Sequence, residues 1–289
     1  MYRVTVDADR KAVFSAVDTA ASEFGVSWFL CGAYSRILLC EEVLKTPAGR
    51  ATYDLDIAIC VRYLNEYTRF RDILCKEHMF EPDSKIEHRL THCSSGILVD
   101  IIPFGKFAEP DEVYNWGTDD IFEMNVQGFD DAFSSAISFL LNDELEVKSS
   151  GYAEQFVLKL FAWQDRRSTR GIDDATDLAY FLMNAVHFVA EKDLYGKYDS
   201  VMQETGYDID LASCFALGSR IRSLFSRKNV RKIIEILGSE LKACENSALI
   251  SDMYERFNSW PQPDERISAV IGQVLKGLSS DGDPSVLAQ

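Results

Sequence analysis

The stretch Thr52-Tyr53-Asp54-Leu55-Asp56-Ile57-Ala58-Ile59-Cys60-Val61 constrains the fold of this chain more than any other. Its Ile, Leu and Val content predicts a buried β-strand, yet two carboxylates stand near its start. Side chains alternate across a strand, so Asp54 and Asp56 point one way while Leu55 and Ile57 enter the opposite layer. Two residues of rise place the aspartate Cα atoms roughly 7 Å apart, within reach of one or two hard cations. Carboxylates on an apolar strand repel each other and lose solvation, so the fold has to compensate them. A divalent metal is one means. A polar strand face open to water, or arginines holding the pair, are the others.

The remainder of the chain narrows the setting. No run of 18 apolar residues occurs, so no membrane span is expected. The start, Met1-Tyr2-Arg3-Val4-Thr5-Val6-Asp7, lacks the basic and apolar regions of a signal peptide. Seven cysteines without C-x-x-C spacing fit reduced thiols in a cytoplasmic protein better than a disulfide framework. The four histidines, among them His88 and His92 without a nearby cysteine ligand set, give no basis for a zinc site. The net charge of −16 argues against nucleic-acid binding through the general field. One local exception runs from Arg220 through Arg222, Arg227, Lys228 and Arg231 to Lys232, with no acid between Leu211 and Ile234. It is either an RNA-facing patch or a solvated helix face.

Residues 8–24 carry apolar side chains at helical spacing, closed by Gly25. Ser27–Cys31 reads as a short buried strand, and Gly32 turns the chain into a second helix over Ala33–Leu44. A loop covers 45–51, the aspartate strand follows, and a third helix spans Glu66–Cys75. Residues 86–102 predict a hairpin turning at Ser94-Ser95-Gly96, whose second arm holds Asp100 among apolar residues. Short strands are expected at Phe122–Val126, Ala136–Leu140 and Leu145–Lys148. Beyond Gly151 every stretch reads helical, including 152–165 and a helix capped by Asp173 and running to about Glu191. Amphipathic stretches follow over 195–204, 209–225, 228–242, 247–258 and 264–278. The expected fold class is therefore α+β: a mixed α/β sheet with helices on one side in residues 1–150, then an all-helical domain in 151–289.

Four features belong to one chemistry. The strand-to-helix turn at Gly32 offers backbone N–H groups and the positive end of a helix dipole, which suit phosphate. Ser35 and Arg36 in the following turn either add phosphate contacts or are surface residues. Asp54, Asp56 and Asp100 supply three carboxylates on apolar strands. Phosphoryl chemistry assisted by two metal ions requires such a set beside such a turn.

The blocks Phe29-Leu30-Cys31-Gly32-Ala33, Thr52-Tyr53-Asp54-Leu55-Asp56, Val99-Asp100-Ile101-Ile102-Pro103-Phe104-Gly105, Leu158-Lys159-Leu160-Phe161-Ala162-Trp163-Gln164-Asp165-Arg166 and Asp173-Asp174-Ala175-Thr176-Asp177-Leu178 occur in that order. In them the chain resembles the polymerase-beta-type nucleotidyltransferase superfamily, whose signature is a Gly-Gly or Gly-Ser turn, then D-x-D, then a third strand aspartate. More narrowly it resembles the bacterial, toxin-like AbiEii/AbiGii-type branch. The resemblance implies that Gly32 and Ala33 form the phosphate-contacting turn and that Asp54, Asp56 and Asp100 bind Mg²⁺, two ions in all. It implies that Asp100 also helps to activate an acceptor hydroxyl. Lys159 would meet the triphosphate as a point charge, and Asp165 and Asp174 would help to set the nucleotide or acceptor. An interhelical salt-bridge network among Lys159, Asp165, Arg166 and Asp174 is the structural alternative. Two departures stand out: Ala33 replaces the second Gly or Ser, and 20 residues separate Ala33 from Asp54.

The resulting expectation is transfer of a nucleoside monophosphate from an NTP to a hydroxyl of RNA such as tRNA, of protein or of a small molecule. A toxin-like role would bring an antitoxin partner. The alternatives are a non-catalytic nucleotide- or partner-binding module on the same fold, and a kinase-like phosphoryl transfer using the same metals.

Overall fold

A computed structural model describes residues 1–49, 52–108, 113–116, 122–168, 171–257 and 262–279. The chain divides between Gly151 and Tyr152 into two units.

The first unit begins with β1 (Tyr2–Val4) and α1 (Ala8–Phe24). Asp7 caps α1 by accepting from the Arg10 backbone N–H at 2.8 Å. The helix buries Val13, Phe14, Val17, Ala20 and Ala21, the stripe that its spacing predicts. β2 (Ser27–Cys31) and α2 (Gly32–Ile37) follow, and α2 runs on into a π-helical turn, Leu38–Leu44. The single helix expected over Ala33–Leu44 is thus two helical forms in series. Next come β3 (Asp54–Cys60), α3 (Leu64–Glu77), β4 (Phe80–Pro82), β5 (Arg89–His92) and β6 (Leu98–Phe104). β7 (Val113–Trp116) and β8 (Phe122–Asn125) pair as a separate ribbon, and α4 (Phe129–Ser134), β9 (Ile137–Leu141) and β10 (Leu145–Ser149) close the unit. Arg50 and Ala51, the end of the expected 45–51 loop, lie outside the described residues.

Eight strands form one mixed sheet in the order β1-β9-β10-β2-β3-β6-β5-β4. β3 pairs antiparallel with β2 and parallel with β6, so it is covered on both edges. Alternate residues of these strands, Trp28, Leu30, Leu55, Ile57, Ile59, Val99 and Ile101, join the α1 and α3 side chains in one core. Complete burial of side chains of this size stabilises the fold by about 1.5–3 kcal/mol each. The intervening residues face the other way, where Phe29 and Phe104 meet Phe129 and Phe133 of α4 at ring-centroid distances of 5.6–6.2 Å. Helices therefore cover both faces, which corrects the one-sided layer expected. The reason lies in Phe29 and Phe104, whose bulk on the second face needs an apolar cover.

Among the described residues the second unit is built of helices: α5 (Tyr152–Arg166), α6 (Gly171–Met183), α7 (Glu191–Leu194), α8 (Asp199–Glu204), α9 (Ile209–Leu224), α10 (Arg227–Ala243), α11 (Ala248–Phe257) and α12 (Pro263–Ser279). The helix expected from Asp173 to about Glu191 is shorter at its end and longer at its start. Asp173 lies inside the first turn of α6, where the helix dipole favours a carboxylate. The Asn184 side chain donates to the Tyr180 carbonyl at 2.8 Å, and the chain tightens there into the 3₁₀ turn Ala185–Phe188. Asp208 caps α9 through the Asp210 and Leu211 N–H groups, and Arg266 of α12 grips the same carboxylate with both terminal nitrogens.

Candidate active site

Register assembles the site in the first unit. Cys31 is opposite Asp56, Asp56 opposite Asp100, and Asp100 opposite Arg89, a single row across β2, β3, β6 and β5. Neighbours in a row share a face, and it is the face away from the α1/α3 core. Asp54 stands two residues before Asp56 on that face.

Gly32 ends the row on the α2 side. Its φ is +68°, a left-handed conformation that glycine adopts without strain. A Cβ there would lie 1.9 Å from Asp56 Oδ2, so the backbone turn and the carboxylate are in direct contact. Ala33 follows in the first turn of α2 and is half-buried.

Arg89 sits at the other end of the row. Its Nε donates to Asp100 Oδ1 at 2.7 Å and its terminal nitrogen to Asp100 Oδ2 at 2.8 Å, a two-pronged pairing. The same terminal nitrogen reaches Asp54 Oδ2 at 3.3 Å. The second oxygen of Asp54 accepts from the Thr52 hydroxyl. The Asp100 bond, opposed by partial burial and aided by the charges of Asp100, Asp54 and Asp56, pushes the Arg89 pKa above its ordinary value. His88 Nε2 lies 3.8 Å from Asp100 Oδ2, and burial holds its imidazole below the ordinary pKa against the pull of that carboxylate. Of the means of compensation open to two aspartates on an apolar strand, arginine pairing is present at Asp54. Arg89 is the residue that sequence reasoning missed. A signal for it exists, since a hairpin turning at Ser94–Gly96 sets 89 opposite 100.

The donor set can be tested against Mg²⁺ directly. Three carboxylates on one strand face are hard oxygen ligands of the kind that ion takes, and their common need for positive charge is visible in Arg89. In kind they fit, but in placement they do not. Among the described residues no three His, Cys, Asp or Glu side chains are gathered as a metal-holding group. Asp56 contacts the Gly32 turn while Asp54 and Asp100 face the guanidinium.

Ser35 and Arg36 are buried and so are not surface residues. Ser35 is fully buried and donates to the Ser150 carbonyl at 2.9 Å, with the Ser149 and Ser150 hydroxyls beside it. Arg36 is only 2% exposed. The Ser35 bonds fasten α2 within the fold.

In the second unit the described geometry realises the salt-bridge network. Lys159 Nζ lies 3.2 Å from Asp174 and 2.8 Å from Asp177, and Arg166 lies 2.8 Å from Asp174, so α5 and α6 are tied by charge. Asp174 and Asp177 are both 2% exposed. Asp165, next to Arg166 on α5, is exposed. Within the basic run, Arg220, Arg227, Lys228 and Arg231 are exposed, Arg222 is half-buried, and Lys232 pairs with Glu235 at 3.3 Å. All seven cysteines are free, and no helix among the described residues is long and apolar enough to cross a membrane.

No protein-family model and no curated protein matches the chain. Among solved structures, one that matches is the solution structure of the antibiotic-resistance factor ANT(2'')-Ia, described as revealing substrate-regulated conformation dynamics. The identity is 12%, the match covers 70% of this chain and 100% of that one, and the TM-score is 0.35. A likeness of that size supports no conclusion about activity.

Proposed function

We propose that the chain is a metal-dependent nucleotidyltransferase, moving a nucleoside monophosphate from an NTP to a hydroxyl acceptor with release of pyrophosphate. The observation that carries the reading is the Asp56–Asp100 row with Asp54 on its face and the Gly32 turn against Asp56. Asp54, Asp56 and Asp100 would hold Mg²⁺, two ions in the full site. The chemistry such an ion would supply is charge neutralisation of the triphosphate and of the attacking and leaving oxygens. The Gly32 turn offers backbone N–H groups to phosphate. Asp100 would receive the acceptor's proton as its oxygen bonds to the α-phosphorus and the bond to pyrophosphate breaks. The acceptor class that the toxin-like branch brings with it is RNA such as tRNA, or protein, with an antitoxin as partner. The exposed Arg220, Arg227, Lys228 and Arg231 are the cations an RNA acceptor would use.

Transfer of label from an α-labelled NTP to cellular RNA or protein tests the reading. The wild type should transfer, and Asp54→Ala combined with Asp56→Ala should abolish it. Transfer that survives both substitutions would sink the mechanism.

Arg89 favours a second reading, a non-catalytic nucleotide- or partner-binding module, because its guanidinium already neutralises Asp54 and Asp100. Such a module would bind nucleotide calorimetrically without the slow release of pyrophosphate. Detecting that release disposes of it.

A further inference from the structure

We infer that Cys75 and Cys93 are a redox-responsive pair, which a hydroperoxide closes into a disulfide joining the end of α3 to the end of β5. The inference goes beyond nucleotidyl transfer and uses none of the site aspartates. Both residues are free thiols, Cys93 exposed and Cys75 half-buried. Cys75 lies in the last turn of α3 and packs against the core that this helix covers. The helix stops at His78, whose N–H donates to the Leu74 carbonyl at 3.1 Å. Met79 then takes a left-handed φ of +60° and turns the chain directly into β4.

Register brings Cys93 to that turn. β4 and β5 pair antiparallel with Phe80 opposite His92, which sets Met79 opposite Cys93. The Cys93 N–H donates to the Met79 carbonyl at 2.8 Å, and the Phe80 and His92 rings meet with centroids 5.0 Å apart. Cys75 precedes Met79 by one helical turn, so the two thiols stand at the same corner of the unit. Burial above all holds the Cys75 thiol over its ordinary pKa; Asp72 and the charge of Cys93 add to the shift, while Arg71 and Lys76 oppose it. Cys93, open to solvent, is the sulfur that a peroxide reaches, and Cys75 is the thiol that resolves it.

The chemistry balances with hydrogen peroxide as oxidant. The Cys93 sulfur attacks one peroxide oxygen, the O–O bond breaks, and a sulfenic acid and one water result. The Cys75 sulfur then attacks the sulfenic sulfur. The S–S bond forms as the S–O bond breaks, and the departing hydroxide leaves with the Cys75 proton as a second water. Two thiols lose two electrons in all, and one peroxide gains them. The bond ties α3 to the strand on which Arg89 stands opposite Asp100.

The experiment treats the full reduced chain with a few molar equivalents of hydrogen peroxide, blocks the remaining thiols with N-ethylmaleimide and maps tryptic peptides without reduction. Cleavage after Arg71, Lys76, Arg89 and Lys106 places the two cysteines in separate peptides, 72–76 and 90–106. These two peptides should appear linked, and dithiothreitol should release them. The oxidised chain should melt about 5 °C above the reduced one. Cys93→Ser should form no bond at Cys75 and show no shift. Cys75→Ser should leave Cys93 as a sulfenic acid that dimedone traps. Cys244→Ser removes the other exposed cysteine and should change neither the bond nor the shift. Should a serine variant fail to fold, the peptide map of the wild type still decides the pairing. Cys93 driven on to the sulfinic acid without a link to Cys75, or linked only to a cysteine of another molecule, would overturn the inference.

Discussion

Gly32 and Asp56 touch so closely that a single added methyl group at Gly32 would sit 1.9 Å from the Asp56 carboxylate. Gly25 provides the comparison, with φ of +67° against +68° and nothing within 4 Å of its would-be Cβ. Both glycines to alanine incur the same left-handed backbone cost, about 1–2 kcal/mol. Only Gly32→Ala also drives the Asp56 side chain off its rotamer, adding about 1 kcal/mol. Chemical denaturation should therefore find Gly32→Ala the more destabilised. If the proposed nucleotidyl transfer is the activity, its loss should accompany Gly32→Ala alone. Equal losses of stability would mean that Asp56 moves aside freely.

The site aspartates are legible in the sequence because a two-residue period on an apolar strand sorts faces without any tertiary information. Asp54 and Asp56 declare themselves that way, and Asp100 does so on the second arm of a hairpin. What escapes is pairing. Arg89 lies in a polar stretch where one arginine looks like another, and only the strand register singles it out. Ser35 and Arg36 escape for a different reason. A one-turn helix has no periodicity from which to read a buried face, and β10, more than 110 residues away, decides that Ser35 meets Ser149 and Ser150. The α5/α6 charges are visible as residues, but their closure into a network depends on how the two helices pack.

That network predicts a stability effect distinct from catalysis. Lys159 bridges Asp174 and Asp177, and both carboxylates are buried. Lys159→Met keeps the apolar stem and removes the charge, leaving buried carboxylates less compensated. Breaking a buried pair by removing one partner costs about 3–5 kcal/mol, reduced here because Arg166 still serves Asp174. A loss of about 2–3 kcal/mol in urea unfolding is expected. A change under about 0.5 kcal/mol would show that the network contributes no more than an exposed ion pair.

Helices α9 and α12 approach through two glycines. A Cβ on Gly218 would lie 2.0 Å from the Val274 carbonyl, and one on Gly277 would lie 2.1 Å from the Phe215 carbonyl. Backbone carbonyls cannot rotate away as a side chain does, so either alanine must push the helices apart. Each should cost about 3 kcal/mol, the upper end of the overpacking range. The two should not add, because helices separated by the first methyl accommodate the second. A double-mutant cycle giving strict additivity would refute a common contact.

Acid should find the Asp208–Arg266 pair. Burial raises the Asp208 pKa, but the Arg266 hydrogen bond and charge, with the Leu211 and Asp210 N–H groups, bring the net value below the ordinary 3.8. Its folded pKa is thus lower than its unfolded one. The stability it contributes is fully present above about pH 3.8 and drains away as pH falls below that value and through the folded pKa. Asp208→Asn abolishes the titration and weakens the pairing with Arg266. Thermal melts from pH 6 down to pH 2 should therefore show the variant less stable than the wild type at the upper end, with the gap narrowing only in the acid range. A gap that stays constant down to the lowest pH would mean that Asp208 titrates alike in folded and unfolded chains.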